Sequence, residues 1–274
     1  IEMRGLLADV PQSRMFDEML KLLQTGHSIA SLEQLTKLGL GQGVYPLLDL
    51  FVERAADPLL KNALLDTDRR VGEGKPVAPS FLLACALWPD VRDGWAQRRA
   101  KGEHPFPALQ EAIDHAFDAR IGDVSGRGKL GADMREIWMM QPRFERRLGQ
   151  SPYSLLDQPR FRAGYDFLRL RAEVGEVDVT LADWWQEFQQ VDDTAREDLI
   201  RQAREEQQRA QQTPRGTQGK GHRAAPAAPL APQDEGGFDP DAQDTGPSNA
   251  DPAKKRRRRR RKPGGGGGAS DAIN

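Results

Sequence analysis

The sequence has one cysteine, no long hydrophobic run and few apolar residues, and each shortage argues against a class of protein. Cys85 is the single cysteine among 274 residues, so no intramolecular disulfide can form and a reducing cytoplasm is the expected compartment. No run of 18 or more apolar residues occurs, so we expect no transmembrane helix and no membrane partner. Apolar residues make up 38% of the chain and the mean hydropathy is −0.68, which predicts that part of the chain does not fold.

The patterns of common metal and catalytic sites are also missing. The four histidines never stand three or four residues apart, so the sequence shows no convergent array of zinc ligands. Gly39, Gly41 and Gly43 follow no strand and precede no Lys-Ser or Lys-Thr pair, and we interpret them as a helix stop and a turn. Asp66 and Asp68 are two residues apart and could be taken for a pair of metal-binding carboxylates, but on a helix their side chains would point to different faces. The sequence therefore assigns no catalytic residue, metal ligand or cofactor site.

Charge is distributed unevenly along the chain. The chain carries 40 Lys and Arg against 41 Asp and Glu, but nine of the cations form one uninterrupted run: Lys254, Lys255, Arg256, Arg257, Arg258, Arg259, Arg260, Arg261 and Lys262. Without this run, 31 cations face 41 acidic residues, a net charge of −10. Because its charges repel one another, such a run cannot fold on itself. It is expected to be a tail that binds a polyanion such as RNA.

Composition divides the chain into an apolar-patterned part and a tail. Residues 213–274 are rich in Pro, Gly, Ala, Gln and Asp and are predicted to be disordered, because they cannot bury enough apolar area to offset the entropy of ordering. Residues 1–212 show helical periodicity and no strand alternation. The prediction is an all-α, irregular multi-helix body, with helices near 12–24, 29–38, 46–55, from 58 through Leu65, 79–88, 105–119, 131–147, 158–173 and 181–211. Ser28 and Asp57 are the expected N-caps of the second and fourth helices, and the helix over 79–88, which is apolar almost all round, should be the buried centre.

Arginines gather in two places beside aromatic residues. The first group is Arg143, Arg146 and Arg147 beside Phe144, and the second includes Arg160 and Arg162 beside Phe161. Guanidinium groups bind phosphates bidentately and aromatic rings stack on unpaired bases, which favours RNA binding. The alternative is a solvated helix face paired with Glu145, Asp157, Asp166 and Glu173, with the aromatics in the core.

Three stretches resemble the part of bacterial poly(A) polymerases, class II nucleotidyltransferases, that follows the catalytic head. Residues 6–40 are similar to the neck, with a Pro-x-x-Arg-x-Phe-x-Glu pattern from Pro11 to Glu18 in which Met15 replaces a Leu. Residues 66–88 form the second stretch. Residues 135–177 form the third and most specific one, with Gln-Pro-Arg-Phe, Pro-Arg-Phe-Arg-Ala and Tyr-Asp-Phe-Leu in succession.

The resemblance implies a function and a division of the chain. It implies neck helices over 1–56, an RNA-binding helical body over 57–212 and an arginine-rich tail over 213–274. The whole enzyme would add AMP from ATP to RNA 3′ ends in mRNA processing and decay, with RNA-decay proteins as further partners and a monomer as the expected state. Arg14 and Glu18, which match a family motif, would brace the nucleotide pocket and can pair on one helix face.

The sequence departs from the family where catalysis is concerned. The head motifs, a Gly-Gly turn and paired Asp residues on a strand that bind metal and ATP, are absent. ATP and magnesium are therefore implied for a missing head, and this chain alone should be inactive. Two alternatives stay open: the body of a tRNA CCA-adding nucleotidyltransferase, and a helical RNA-binding or docking module without an enzyme.

Overall fold

Helices account for the regular structure of the residues that this computed structural model describes, which are 4–119 and 128–212. A 3₁₀ turn over Arg4–Asp9 precedes eleven helices in these two ranges. They are α1 Gln12–Leu23, α2 Ser28–Lys37, α3 Pro46–Glu53, α4 Pro58–Gly72, α5 Pro79–Ala100, α6 Pro105–Asp118, α7 Gly128–Phe144, α8 Ser151–Leu156, α9 Phe161–Glu173, α10 Val179–Gln190 and α11 Asp193–Gln212. The prediction of an irregular all-α body is confirmed, and the predicted disordered tail lies outside the described residues.

Helix α5 is the centre of the larger of two apolar cores. Every side chain from Leu82 to Trp88 is fully buried, as the unbroken apolar run of this segment predicted, and Cys85 is one of them. Helices α1 to α7 pack around it, and α9 adds Phe167 and Leu170. This core is continuous across residue 56, so the division between neck and body at that position stays a prediction.

The smaller core lies under the second half of the body. It joins the end of α7 to α8, α9, α10 and α11, and tryptophan and phenylalanine dominate it: Phe144, Phe161, Trp184, Trp185 and Phe188 are all buried. The rings pack edge-to-face and stacked, with centroids of Trp184 and Phe188 4.8 Å apart. Helices α7 and α9 contribute to both cores and therefore hold the two halves together.

Several helix boundaries differ from the sequence prediction. Helix α5 continues through Pro89 to Ala100 instead of ending at Trp88. Proline has no backbone N–H, so the helical bond from residue 89 to the Cys85 carbonyl is missing. The neighbouring Ala84 and Ala86 carbonyls accept hydrogen bonds from the side chains of Trp138 and Arg54. Helix α8 was not predicted. The single helix predicted over 181–211 is two helices, because the Asp192 carboxylate accepts a bond from the Ala195 amide and starts a new helix there.

The glycines at 39, 41 and 43 form a turn between helices, as predicted. Gly39 and Gly43 adopt positive φ angles of 66° and 67°, a conformation that favours glycine. Gly41 is needed for a different reason: a Cβ atom there would lie 2.7 Å from both methyl groups of Val52 on α3. The segment is therefore a close-packed connection, and a phosphate-binding loop is not required to explain it.

Candidate nucleic-acid interface

Helix α1 carries Arg14 and Glu18 on its exposed side, but it does not pair them. The Glu18 carboxylate accepts a hydrogen bond from Lys21 Nζ at 2.8 Å, and this bond and the charge of Lys21 lower the Glu18 pKa, with a smaller effect from Arg14. The expected Arg14–Glu18 pair is therefore wrong, because Lys21 reaches the same carboxylate from one turn further on. The proposed bracing role of both residues stays a prediction.

The first arginine group lies where α7 ends and the chain turns towards α8. Arg143 is partly buried in the last turn of α7, and Arg146 is exposed three residues later. Burial, and secondarily the positive charge of Arg146, lowers the pKa of Arg143. Among the residues that the structure describes, neither guanidinium has a carboxylate within 4.0 Å. Two neighbouring cations here thus lack a neutralising side chain.

An aromatic ring lies beside these two cations. The guanidinium carbon of Arg146 lies 4.6 Å from the centroid of the Phe106 ring, which is partly exposed at the start of α6. This contact orients the guanidinium by a cation–π interaction and leaves its N–H groups available. Arg147 differs, because it is paired with Glu206 on α11 at 3.6 Å and lies over the Trp184 ring at 5.8 Å.

The second arginine group is neutralised by acidic side chains. Arg160 contacts Asp133 on α7 at 2.6 Å, and Arg162 contacts Asp166 one turn along α9 at 3.2 Å. Arg169 on the same helix pairs with Glu173. For this group the alternative interpretation, a helix face of paired charges, describes the geometry. In the Arg162–Asp166 pair, however, Arg162 is 69% exposed while Asp166 is 14% exposed, so the guanidinium can turn from the carboxylate to a phosphate.

The aromatic residues that the sequence placed beside the arginines belong to the core. Phe144, Phe161, Tyr165 and Phe167 are at most 6% exposed, so they offer no stacking surface. Phe81 and Phe106 are among the partly exposed rings of the described residues, and sequence reasoning missed both as candidate stacking surfaces. Phe106 stands in Pro-Phe-Pro, where proline at the first helical position indicates a helix start and thus an end of the core-facing stripe.

The described residues contain neither a metal-binding cluster nor a membrane-spanning helix. Residues 4–119 and 128–212 contain no group of three or more His, Cys, Asp or Glu that could hold a metal ion. Asp66 and Asp68 point apart as expected: Asp66 contacts Arg69, while Asp68 binds the Ser28 amide. No helix in the same ranges is long and apolar enough to cross a bilayer. The basic run 254–262 lies outside the described residues.

Comparison with known families matches two regions of the chain. Residues 1–51 match the family model described as "Probable RNA and SrmB- binding site of polymerase A". Residues 101–220 match the model described as "Polymerase A arginine-rich C-terminus". The first region contains Arg14 and Glu18, and the second contains both arginine groups.

Curated relatives are similar over most of the folded region. The chain is 33% identical over 222 residues to poly(A) polymerase I of Haemophilus influenzae, a match that covers 78% of this chain and 48% of that protein. It is 33% identical over 192 residues to the Salmonella typhi enzyme of the same name and 34% identical to that of Escherichia coli O6:H1, covering 67% of this chain and 41% of each relative. The chain thus spans less than half the length of the relatives it matches.

Proposed function

This chain belongs to the bacterial poly(A) polymerase family, and from that membership we propose that it holds the RNA 3′ end for a catalytic head. The head would bind ATP and magnesium and transfer AMP to the RNA, in mRNA processing and decay in the cytoplasm. The described residues do not fit the metal, since they hold no cluster of ligands for it. We therefore assign them no chemical step and expect the chain alone to incorporate no AMP from ATP.

The observation that carries the RNA-binding proposal is the pair of cations Arg143 and Arg146, which have no carboxylate partner in the part of the chain that the structure describes. Phosphate oxygens accept the N–H groups of guanidinium bidentately, and such charge-assisted bonds are roughly twice as strong as neutral ones. Burial, and then the repulsion from Arg146, lowers the Arg143 pKa, and a phosphate between the two residues would offset that repulsion. The Phe106 ring holds the Arg146 guanidinium in place, and the plane of that guanidinium gives a base a surface to stack on.

The neck is the proposed place for protein contacts. The family description of residues 1–51 names SrmB as well as RNA. In this range Leu6 and Leu38 expose 60% and 48% of their surfaces, which suits contact with a partner of the RNA-decay machinery. Arg14 and Glu18 would face the nucleotide pocket of the head and support it without taking part in the reaction.

Charge reversal tests the RNA-binding proposal directly. We expect Arg143→Glu with Arg146→Glu in the full chain to weaken binding of an unstructured RNA of about 12 nucleotides roughly tenfold or more. Fluorescence anisotropy at about 0.3 M salt measures this while the long-range attraction of the basic run is screened.

A matched control separates the site from overall charge. Arg201→Glu with Arg209→Glu makes the same change of charge on α11, where these arginines pair with Asp198 and Glu205. This control should weaken binding much less. If both double variants lost affinity equally, the arginines at the end of α7 would contribute only through the overall charge of the protein, and the proposed contact would be wrong.

A further inference from the structure

A cavity of about 340 Å³ lies between α4, the connection that leads to α5, and the start of α9. Thr67 and Arg70 of α4, Val77 and Phe81, and Arg162 and Asp166 of α9 line it. Its volume is at the small end of the range for ligand-binding cavities, which fits a single flat group better than a large ligand. It is separate from the α7 end, where Arg143 and Arg146 lie.

The floor of the cavity is apolar and rigid. The partly exposed Phe81 ring packs edge-to-face on the buried Phe167 ring, with centroids 6.3 Å apart, so the larger core fixes its position. Val77, Ala163 and two prolines surround this ring. Such a surface accepts the face of an aromatic ring, including a nucleobase.

Three arginines and Asp66 line the cavity. Arg160 is paired with Asp133 and Asp66 with Arg69, so Arg70 and Arg162 are the two cations that can serve a ligand. Arg70 donates a hydrogen bond to the Pro76 carbonyl at 3.3 Å, and among the described residues no carboxylate lies within 4.0 Å of it. Arg162 is held to Asp166 only through Nε, and its side chain is 69% exposed. Both guanidinium groups therefore have N–H groups free to turn towards a phosphate.

Asp166 is an acceptor that the protein does not fully use. Arg162 Nε lies 3.2 Å from both oxygens of this carboxylate and donates its N–H to Oδ2. Among the described residues the buried Oδ1 therefore has an ionic contact but no hydrogen-bond donor. Burial raises the pKa of this carboxyl, and the charges of Arg162, Arg169 and Arg70 oppose the shift. A buried carboxylate oxygen without a donor is unfavourable, and a ligand N–H group would satisfy it.

We propose that this cavity holds one nucleotide of single-stranded RNA, with its base on Phe81 and an N–H group of the base donated to Asp166. Arg162 moves from Asp166 to the phosphate, where Arg70 joins it, and this movement uncovers the carboxylate for the base. The inference rests on the proposed function, since it names which RNA group a second place on the body recognises.

The chemistry of Asp166 predicts a base preference. A carboxylate only accepts hydrogen bonds, and the N4 amino group of cytosine is a donor that Asp and Glu side chains bind. Uracil has a carbonyl oxygen at that position, which the carboxylate repels. Cytosine and uracil stack similarly, so a difference between them reports the carboxylate contact.

The test compares short C-only and U-only RNAs binding to the full chain and to Asp166→Asn. We expect the wild-type chain to bind the C-only RNA about fivefold or more tightly than the U-only RNA. In Asp166→Asn, whose amide can donate as well as accept, the ratio should fall to near one while the affinity for the U-only RNA stays the same or rises.

Two further variants make the result specific. Asp157→Asn removes the same charge just before α9 from an exposed residue that does not line the cavity, and it should keep the wild-type ratio. Ala163→Leu fills the cavity and should abolish the preference without changing any charge, which keeps the proposal testable if Asp166→Asn folds poorly.

The outcomes separate this inference from the proposed function. Equal binding of the two RNAs by the wild-type chain, or a preference that survives both Asp166→Asn and Ala163→Leu, would overturn the cavity assignment and leave RNA binding by the body intact. Failure of every RNA to bind would instead contradict the proposed function itself.

Discussion

Glu176, in the connection between α9 and α10, is held to α5 and α9 by three hydrogen-bond donors. Its carboxylate accepts from Trp88 Nε1 at 2.8 Å, from Arg92 at 2.9 Å and from Arg171 Nε at 3.0 Å. Arg171 is buried, lies over the Trp88 ring at 4.8 Å and also donates to the Gln141 side chain. The guanidinium of Arg171 is therefore neutralised by Glu176 inside the protein.

We expect Glu176→Gln to lower the free energy of unfolding by about 3 kcal/mol near neutral pH, because it leaves the buried Arg171 charge without its partner. Burial alone would raise the Glu176 pKa, but the bonds from Trp88, Arg92 and Arg171 outweigh it and the pKa is lowered. The stabilisation that the ionised Glu176 provides is thus fully present above the pKa of Glu176 in the unfolded chain, and it is lost as the pH falls through the lower pKa of the folded protein.

Urea unfolding followed by tryptophan fluorescence measures this loss. The difference between wild type and Glu176→Gln should shrink as the pH falls below the ordinary glutamate pKa of 4.5. Glu187→Gln changes an exposed carboxylate on α10 and should leave stability nearly unchanged. Equal stability of wild type and Glu176→Gln at neutral pH would contradict the role of the network.

At the scale of single elements, caps decide where helices begin. Asp57 precedes α4 and accepts bonds from the Leu59 and Leu60 amides, as the Asp-Pro pair at this position predicted. Ser28 was expected to cap α2, but it is the first residue of that helix and its buried hydroxyl has no partner. Asp68 of α4 binds the Ser28 amide instead, at 2.9 and 3.0 Å.

Asp68→Ala should therefore destabilise the protein by about 1–2 kcal/mol, because the first turn of α2 loses its acceptor and no local residue replaces it. Urea unfolding gives the magnitude, and faster hydrogen exchange of the Ser28 amide locates the effect at this helix end. Glu33→Ala on the exposed side of α2 is the matched control. An unchanged exchange rate at Ser28 would show that Asp68 does not cap the helix.

These elements also show how far local sequence determines the structure. Helix α1, with its strong apolar stripe, was predicted within one residue of its observed ends. The start of α4 was predicted because its Asp57 cap is local, but the helix continues to Gly72, beyond the predicted Leu65. The hydrogen bond from the Ser28 amide to Asp68 joins residues 40 positions apart, so no local sequence pattern predicts it. The break before α11 was signalled by Asp192 but was hidden by the continuous helical periodicity around it.

For the whole molecule, the sequence predicted which arginines gather but not which of them remain available. Arg160 and Arg162 pair with acidic residues, whereas Arg143 and Arg146 have no such partner among residues 4–119 and 128–212, and this difference depends on how α7 and α9 pack. The Asp166 cavity likewise forms from segments that are about 80 residues apart in the chain. Tertiary packing, and not composition, thus separates the two arginine groups.

The central claim is that the folded body binds RNA through its own arginines while the basic run 254–262 adds affinity without sequence preference. The most direct test measures the affinity for an unstructured RNA across a salt series, for the full chain and after deletion of residues 254–274. Engagement of five or six cations of the run predicts that deletion lowers the slope of log affinity against log salt by roughly 4, while measurable binding to the body remains. An unchanged slope would show that the run does not hold RNA, and complete loss of binding on deletion would contradict an RNA site in the body.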